Sequence, residues 1–500
     1  MHYLSVRLGG GCMTIRERPV DQASIFRTMK QIGVIGAGAA GLCAARHILA
    51  NQGMVPIVWE QSEKVGGTWN YTPETGTDKN GLPIHSSMYQ NLKTNLPKEV
   101  MAFPDFPFPE ADESFVHHSE VKKYLENYAQ HFDLYPHIKF NHHVEEVKPI
   151  IKETGPPSWS IKVKDLNSGE FSTAVCDALL VCNGHYSVPR LPIIKDIEKF
   201  QGRQIHSHNY REPSPYEGSR VVVLGASASG LDIMLELAPY AKEILLSHNL
   251  PVAVPSELPS NVRQVRGVVA ATENGFTFGD GTSAEADVIL YCTGYEYTFP
   301  FLSEECNVTI EDNVVKPLYK HLIHSSFPSL AFIGIPFQIC PFPLFDFQVQ
   351  YFVAVIAGRL TLPSPGEMAT LSREDLEQQR KEGCMDRHYH RLGLIHQLTV
   401  LKDWAEGAGI PPPGKHMKTI LYIVMLRFAF AHPSFKKSKF TVMEDGGVIE
   451  RREGAEVYTK LELTWLLARG LFWVLWRDFP RGLSFLGSAV WGRLTRPFHS

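Results

Sequence analysis

The sequence has no long run of charges of one sign. Its 49 lysines and arginines are nearly balanced by 53 aspartates and glutamates, which gives a formal net charge of −4 at pH 7. Proteins that hold nucleic acid through its phosphates carry a basic patch or an excess of positive charge. The charge pattern therefore gives no reason to expect nucleic acid as a partner.

Cysteine is sparse and scattered. The eight cysteines stand at positions 12, 43, 176, 182, 292, 306, 340 and 384, and none of them forms a C-x-x-C pair. No group of histidines and cysteines has the spacing of a zinc site. We therefore expect no bound metal ion, and reduced thiols in a reducing compartment.

The N-terminal stretch lacks the apolar segment of a secretory signal peptide. Glu17 and Asp21 interrupt its basic character, which argues against an organelle-targeting peptide, so residues 1–29 are expected to form a flexible extension. The 500 residues predict two or three domains, on a prior of about 150 residues each. A hydrophobic fraction of 44% is typical of a globular protein with a large core.

A glycine-rich turn stands between two apolar runs near the N-terminus. Residues 32–35 lead into Gly36-Ala37-Gly38-Ala39-Ala40-Gly41, a helix-like segment follows, and residues 56–59 form a second run that ends at Glu60. Strand, G-x-G-x-x-G turn and helix form the unit that binds a dinucleotide, with the pyrophosphate on the helix N-terminus. Glu60 follows the turn near the spacing of about 20 residues expected for the acid that binds a ribose hydroxyl.

The same plan recurs near the middle of the chain. An apolar run at 220–224 leads into Gly225-Ala226-Ser227-Ala228-Ser229-Gly230, and the next apolar run ends at Ser247-His248-Asn249. The later segments CDALLVCNG, at 176–184, and ADVILYCTG, at 286–294, also match each other. Two copies of one mononucleotide-binding plan predict two nucleotides. Ser227 replaces the middle glycine and offers a hydroxyl to phosphate, which suits a cofactor that binds and leaves.

Further motifs stand in order around the two turns. Residues 200–210 fit F-x-G-x-x-x-H-x-x-x-[FY] through Phe200, Gly202, His206 and Tyr210, and residues 63–69 fit E-x-x-G-G-x-W, which includes Gly67, Thr68 and Trp69. Thr94-Asn95, Thr293-Gly294-Tyr295 and Asp346-Phe347-Gln348 follow, the last with aspartate in place of glutamate. Over roughly residues 30–440, this series resembles the flavin-containing monooxygenases.

The resemblance implies an α/β fold with two Rossmann-like dinucleotide-binding domains, a glutathione-reductase-like arrangement and a C-terminal helical tail. An FAD-binding domain would comprise residues 30–212 and 325–450, with an NADPH-binding domain at 213–324 and the tail at 451–500. The cofactor-binding residues would be Gly36, Gly38, Ala39, Ala40, Gly41, Glu60, Gly67, Thr68, Trp69, Thr94, Gly225, Ser227, Ser229, Gly230, Ser247, His248, Thr293, Gly294 and Gln348.

The chemistry that the resemblance implies uses FAD, NADPH and O₂. NADPH would reduce the flavin, which would form a C4a-hydroperoxide that oxygenates a soft nitrogen or sulfur atom of a small amine or sulfide. Asn95 is the candidate catalytic residue, because its amide can donate to the peroxyflavin or to the nicotinamide ribose. For His206 and Tyr210 we expect a role in placing the two nucleotide units, and no proton transfer.

The sequence departs from the usual NADPH-binding pattern at the second nucleotide site. NADPH-specific sites usually carry an arginine near the end of the second strand for the 2′-phosphate, and Ser247-His248-Asn249 contains none. Ser247 and His248 can donate hydrogen bonds instead, with Arg263 or Arg266 reaching in from a loop. No acid stands there, which disfavours NADH, so NADPH is the expected donor.

Residues 461–476, LELTWLLARGLFWVLW, are strongly apolar, and Arg469 interrupts them. The run is shorter than the roughly 20 residues that span a bilayer. Such a mixture suits a helix in a membrane interface, and equally a terminal helix packed on the core. Several animal members of the resembled family are attached to membranes through their C-termini, which favours peripheral attachment here and a location in the cytoplasm or at the cytoplasmic face of the endoplasmic reticulum. A homodimer is also open.

Other functions stay open at this point. A Baeyer–Villiger monooxygenase shares both nucleotide units, but its signature ends in tryptophan where Tyr210 stands. A flavin disulfide reductase would need a C-x-x-C or C-x₄-C pair, which the sequence lacks. An NADPH oxidase that releases H₂O₂ differs only in the lifetime of its peroxyflavin. A non-catalytic nucleotide-binding protein is disfavoured, because Asn95 and the outer glycines of both turns are intact.

Overall fold

The computed structural model describes residues 29–250, 253–254, 256–430 and 432–452. Almost all of the predicted N-terminal extension, and the predicted interfacial segment at 461–476, lie outside the described residues. Within the described part, no helix is both long and apolar enough to cross a bilayer.

The described residues form helices that alternate with strands over the first two thirds of the chain and follow one another without strands from Pro341 to Phe430. The helices are α1 (Ala39–Leu49), α2 (Lys98–Met101), α3 (His118–His131), α4 (Ala228–Leu237), α5 (Pro341–Ile356), α6 (Pro365–Lys381), α7 (His396–Ala408) and α8 (Lys415–Phe430).

The first unit is built on a seven-stranded sheet in which five neighbouring strands are parallel. Val34, Val58 and Leu180 are fully buried in it, because parallel strands are covered on both faces and so are made of apolar runs. The strands in spatial order are β20 (Leu318–Tyr319), β21 (Ile323–His324), β22 (Leu330–Phe332), β7 (Ala178–Val181), β1 (Lys30–Ile35), β2 (Met54–Trp59) and β3 (Ile138–Lys139).

The second unit is built on a five-stranded sheet that is parallel throughout. Its middle strands are again continuous apolar runs, and Val222, Leu246 and Ile289 have no exposed surface. The strands in spatial order are β12 (Val262–Arg266), β11 (Glu243–His248), β10 (Arg220–Leu224), β16 (Val288–Tyr291) and β9 (Arg203–His206).

Smaller antiparallel sheets complete the described fold. Two are three-stranded: β4 (His142–Ile150), β5 (Ser158–Asp165) and β6 (Phe171–Cys176), then β13 (Val268–Thr272), β14 (Gly275–Phe278) and β15 (Ser283–Glu285). Three are ribbons: β8 (Val188–Pro189) with β17 (Tyr295–Glu296), β18 (Thr309–Glu311) with β19 (Val314–Lys316), and β23 (Ser438–Val442) with β24 (Val448–Arg452). The ribbon of β8 and β17 lies where the chain leaves the first unit and where it returns.

The two units repeat one local geometry at their glycine turns. Gly36 has φ +99° and Gly225 has φ +117°, a left-handed backbone that side chains rarely adopt. A Cβ at Gly41 would lie 1.8 Å from the Gly36 carbonyl oxygen, and a Cβ at Gly230 would lie 1.8 Å from that of Gly225. The helix therefore starts against the turn in both units, and the predicted pair of Rossmann-like domains is confirmed.

Helix α1 is buried on two sides, because it packs between the first sheet and α5. His47 of α1 and Asp346 of α5 are buried and hydrogen-bonded, with 2.5 Å between Nε2 and Oδ1. Gln350 also donates to Asp346, at 2.7 Å. Asp346, the aspartate that replaces glutamate in the late motif, thus joins the first nucleotide helix to the C-terminal part of the chain.

The predicted domain boundaries differ from the sheets. Residues 203–206 stand in the predicted flavin part 30–212, yet they pair with β16 of the second sheet. Residues 318–324 stand in the predicted NADPH domain, yet β20 and β21 belong to the first sheet. Strand β9 pairs with a strand far away in the chain, and β20 and β21 reach the first sheet through β22, whose partner β7 is equally distant in the chain.

The helix with Val121, Tyr124, Leu125 and Tyr128 on one face forms as the periodicity predicts, and all four residues are buried. Ser119 is not its cap. The helix begins at His118, its cap residue is His117, and the His117 side chain accepts a hydrogen bond from the Ser119 N–H. An imidazole nitrogen takes the place of the hydroxyl that the sequence predicts.

We expect Gly41→Ala to destabilise the first unit by more than about 3 kcal/mol, because the new methyl group would meet backbone that cannot rotate away. Thermal unfolding and soluble yield check this. The matched control is Gly366→Ala in α6, where nothing lies within 4 Å of the new Cβ. That control should be neutral or stabilising by up to about 1 kcal/mol. Equal midpoints for the two variants would contradict the expectation.

Candidate functional site

A single large cavity, with a volume of about 1820 Å³, connects the two glycine turns. Parallel strands end at the turns, so the cavity lies at the carboxyl edge of both sheets, where open α/β sheets bind ligands. The predicted site residues that line it are Gly36, Gly38, Ala39, Ala40, Glu60, Gly67, Thr68, Trp69, Thr94, Asn95, Gly225, Ser227, Ser229, Ser247, His248, Thr293 and Gly294. Most of the predicted site is therefore brought together in one place.

The first end of the cavity is a narrow cradle of backbone. The Gly66 N–H donates to the Ala37 carbonyl at 3.0 Å, which holds the G-G-x-W turn against the first glycine turn. A Cβ at Gly67 would lie 3.0 Å from the Gly38 Cα. Beside this contact, Thr68 Oγ1 and Asn70 Oδ1 are buried without a partner among the described residues. Unpaired buried polar atoms beside a glycine cradle fit a bound dinucleotide.

Glu60 is buried at the same end. One carboxylate oxygen accepts from the Ala37 N–H at 2.7 Å and the other accepts from the Ser62 N–H at 2.8 Å. Burial raises the pKa of Glu60, and these two backbone hydrogen bonds oppose that effect. The carboxylate therefore fixes the glycine turn while it faces the cavity where a ribose was predicted.

The residue before Asn95 is held in place by two hydrogen bonds. Thr94 exchanges hydrogen bonds with Val116, from backbone N–H to carbonyl at 2.9 Å and from the Val116 N–H to Thr94 Oγ1 at 3.1 Å. Asn95 itself lines the cavity, and its Oδ1 is buried without a partner among the described residues. The amide is thus placed by Thr94 and left available to a ligand.

Aromatic rings form the wall next to this segment. Trp69 meets the edge of Phe342 with 6.3 Å between ring centroids, and Phe342 stacks on Phe103 at 5.0 Å. Phe345 and Phe428 also line the cavity. An apolar wall of this kind excludes water from the region that Asn95 faces.

The second end of the cavity is the N-terminus of α4. Ser227 and Ser229 are exposed there, and the Ser227 hydroxyl does not cap the helix. The first backbone N–H groups of a helix, with its dipole, attract anions, and the free hydroxyls add donors. This end suits a phosphate group, as the sequence predicts.

Ser247 and His248 differ from the prediction. The Ser247 hydroxyl donates to the Arg266 carbonyl at 2.9 Å, and His248 has one ring nitrogen on Gln264 at 3.0 Å and the other accepting from the Leu250 N–H at 3.2 Å. Neither side chain is a free donor, because the neighbouring strand already uses both. Both residues line the cavity, but their hydrogen bonds are made within the protein.

The two arginines named with them lie on strand β12 and not on a loop. Arg263 pairs with Glu243 at 3.5 Å, at the end of the sheet away from the turn. Arg266 stands opposite His248 at the carboxyl end, and its guanidinium donates to the Leu250 carbonyl at 3.0 Å. Only Arg266 of this pair is placed beside the cavity.

Two other predicted residues act through the backbone. Gln348 is fully buried and does not line the cavity; its side-chain oxygen accepts from the N–H of Gly334, which does. The Thr293 hydroxyl donates to the Arg190 carbonyl at 2.5 Å, so Thr293 holds the loop beside Gly294. The Gln348 Nε2 is buried without a partner among the described residues, so the contact of Gln348 with a cofactor stays a prediction.

The four motif residues of the segment at 200–210 lie beside the cavity and not in its lining, although Ser207 of the same segment lines it. Phe200 packs in the core of the second unit, and Gly202 is needed there because a Cβ would lie 2.4 Å from the Asp287 carbonyl oxygen. His206 ends β9 with its ring against Tyr295. The Tyr210 hydroxyl donates to Glu236 of α4 at 2.9 Å. The arrangement agrees with a structural role for these residues.

The cavity lining also contains histidines that the sequence did not predict, among them His85 and His185. Burial lowers the pKa of each to about 4, so both imidazoles are neutral at pH 7. His185 follows the first unit's β7 strand by a few residues. That position, at the carboxyl edge of the sheet, is the signal that could have identified it.

Cys43, His47 and Asp346 place potential metal ligands within 4.8 Å of one another, behind the first glycine turn. Burial and the nearby Asp346 raise the pKa of the Cys43 thiol well above its usual value. Within this cluster, His47 and Asp346 form the hydrogen bond that links α1 to α5.

Two Rossmann-like units that share one cavity define a class of protein, the oxidoreductases that bring two nucleotides together. Comparison with known families identifies one family within this class. The family of flavin-binding monooxygenase-like proteins matches at residues 29–254 and 252–409. The chain belongs to this flavin-binding monooxygenase family.

Individual relatives agree with that assignment. The chain is 37% identical to "Flavin-containing monooxygenase FMO GS-OX-like 7" of Arabidopsis thaliana over 433 residues, which is 82% of this chain and 91% of the relative. It is 39% identical to "Flavin-containing monooxygenase FMO GS-OX5" of the same plant over 399 residues, which is 76% of this chain and 85% of the relative. The solved structure of S-allyl-L-cysteine S-oxygenase from Allium sativum matches with a TM-score of 0.76 and 35% identity, covering 82% of this chain and 95% of that one.

We expect the folded protein to lose stability as the pH falls from about 6.5 toward 4. Burial lowers the pKa of His85, His185, His206 and His324 to about 4, whereas an unfolded histidine has a pKa of about 6.5. In that window the unfolded chain binds protons that the folded chain does not, so acid favours unfolding, by on the order of 1 kcal/mol per histidine at pH 5.

Urea unfolding at pH 7.5 and pH 5 measures this loss. His324→Gln is the control, because His324 is remote from the cavity lining and its removal should shrink the difference between the two pH values. Equal stability at both pH values would mean that these imidazoles are charged in the folded protein.

Proposed function

We propose that the protein is an NADPH- and O₂-dependent flavin monooxygenase that oxygenates the nitrogen or sulfur atom of small molecules. The observation that carries the proposal is the cavity that joins both glycine turns and passes Asn95 between them. Such a cavity allows a nicotinamide held at one turn to reach a flavin held at the other.

FAD would be held at the first turn, by the cradle of Gly38 and Gly67 and by the unpaired Thr68 and Asn70. NADPH would be held at the N-terminus of α4, with Ser227 and Ser229 as donors to its phosphates. A bound flavin supplies the chemistry: it takes two electrons from NADPH and passes one oxygen atom of O₂ to the substrate. The protein supplies binding, orientation and a dry site.

Asn95 is the residue we assign to the reacting centre. Thr94 pins its backbone, and its amide oxygen has no partner among the described residues. The amide can therefore hold a ribose hydroxyl or a flavin edge without breaking a bond inside the protein. The aromatic wall of Trp69 and Phe342 would keep water from the same region.

A sulfide is favoured over an amine as the substrate. The solved relative with 35% identity is an S-oxygenase that acts on S-allyl-L-cysteine, according to its name. A thioether is a soft nucleophile of the kind that this chemistry requires. Thioethers with small polar groups are therefore the first compounds to assay.

The proposal is tested by reducing the FAD form anaerobically with NADPH and mixing it with O₂ in a stopped-flow spectrophotometer. We expect an oxygenated flavin species that persists for seconds or longer while NADP⁺ is bound, and that decays faster when a thioether is added. Direct return to oxidised flavin with stoichiometric H₂O₂ would favour an NADPH oxidase. Oxygenation of a ketone and not of the thioether would favour a Baeyer–Villiger enzyme.

Asn95→Ala is the informative variant in this experiment. It should bind FAD as the wild type does, since Asn95 is no part of the cradle at Gly38. Its oxygenated flavin should decay at least about tenfold faster, with more H₂O₂ and less sulfoxide, because a lost hydrogen bond of about 1.5 kcal/mol corresponds to such a factor. An unchanged lifetime would remove Asn95 from the reacting centre.

Arg266 is expected to select NADPH over NADH through the 2′-phosphate. Arg266→Ala should raise the KM for NADPH by about tenfold or more and leave that for NADH nearly unchanged, because only NADPH carries the extra phosphate. Arg263→Ala, on the same strand but at its other end, is the matched control and should change neither value. Equal effects of the two substitutions would contradict the assignment.

A further inference from the structure

Two carboxylates on α4, the helix that follows the second glycine turn, have no part in the proposed chemistry. Asp232 and Glu236 lie one turn apart on α4 and are both partly buried. Each of their four carboxylate oxygens accepts a hydrogen bond, and every donor comes from outside the helix. The helix that begins at Ser227 is thus tied to other parts of the chain along one face.

The donors to Asp232 come from both ends of the sequence. The Tyr89 hydroxyl donates to Oδ2. The Lys436 ammonium donates to Oδ1 at 2.6 Å and also to the Lys93 carbonyl at 2.9 Å. Lys436 therefore binds the helix and the Tyr89 segment at once.

The donors to Glu236 complete the set. Asn91 Nδ2 donates to Oε1 at 2.7 Å, and the Tyr210 hydroxyl donates to Oε2 at 2.9 Å. The rings of Tyr89 and Tyr210 meet edge to face with 5.5 Å between centroids. We call Tyr89, Asn91, Tyr210, Asp232, Glu236 and Lys436 the latch.

The latch connects the two ends of the cavity. Tyr89 and Asn91 stand on the segment that runs directly into Thr94 and Asn95. Asp232 and Glu236 stand on the helix whose N-terminus would hold the NADPH pyrophosphate. A change in the latch would therefore move the nicotinamide relative to Asn95 and the flavin.

We propose that Asp232 and Glu236 are positioning residues for hydride transfer, which set the distance between the nicotinamide and the flavin by holding α4 to the Asn95 segment. This inference rests on the proposed function. Hydrogen bonds to carboxylates are about twice as strong as neutral ones, and partial burial shields these from water, so they can fix a helix firmly. A displacement of about 1 Å at a reacting centre lowers a rate by up to about a hundredfold.

The test compares Asp232→Ala and Glu236→Ala with the wild type in anaerobic flavin reduction by NADPH. The limiting rate at saturating NADPH should fall by about tenfold or more, because the donor is misplaced. The Kd for NADPH should change by less than about threefold, since Ser227, Ser229 and Arg266 remain. Reduction by dithionite, which needs no positioned nicotinamide, should be unchanged.

Glu243→Ala is the matched control, because Glu243 is a carboxylate of the same unit whose partner, Arg263, lies within that unit. It should leave the limiting rate unchanged. Asp232→Asn and Glu236→Gln keep the size and an acceptor oxygen, so they should restore most of the rate. If the alanine variants do not fold, Tyr89→Phe and Asn91→Ala remove the same hydrogen bonds from the other side and should slow reduction in the same way.

The outcomes separate the two proposals. A wild type that NADPH does not reduce overturns the proposed function, and the positioning role with it. A wild type that is reduced, with latch variants reduced at the same limiting rate, overturns the positioning role alone. A rise in Kd with an unchanged limiting rate also overturns it, because the carboxylates would then act in binding.

Discussion

The structure depends on a contact that only glycine permits. In each unit the helix begins so close to the preceding turn that a Cβ at Gly41 or Gly230 would lie 1.8 Å from a backbone oxygen. That approach points the first N–H groups of the helix at the carboxyl edge of the sheet, where the cavity opens. The placement of both helix N-termini at the cavity, where we propose that the phosphates bind, therefore follows from the absence of two side chains.

What the sequence predicts well is what depends on neighbours in the chain. The spacing of Gly36, Gly38 and Gly41 reflects a constraint within one turn, so the first nucleotide unit and its repeat at Gly225 can be identified without a structure. The helix with Val121, Tyr124, Leu125 and Tyr128 on one face is local in the same sense. The family motifs allow more of the fold to be predicted, because their order along the chain is that of a fold already known.

What the sequence does not predict depends on distant partners. Ser247 and His248 look like free donors until β12 is placed beside them, where Arg266 and Gln264 use their hydrogen bonds. The Gln348 side-chain oxygen, named as part of a cofactor contact, already accepts from the Gly334 N–H. In each case the fold supplies a partner that the local sequence does not reveal.

The ribbon of β8 and β17 has a consequence for motion. It pairs the outgoing chain with the returning chain between the two units, with Tyr295 opposite Pro189 and Glu296 opposite Val188. A pair of hydrogen-bonded strands bends and twists far more easily than it stretches, as the short connections in domain hinges do. The ribbon therefore limits how far the two units can separate, whereas the hydrogen bonds of Asp232 and Glu236 fix α4 over the Asn95 segment, so that holding the units together and keeping the two ends of the cavity in register depend on different contacts.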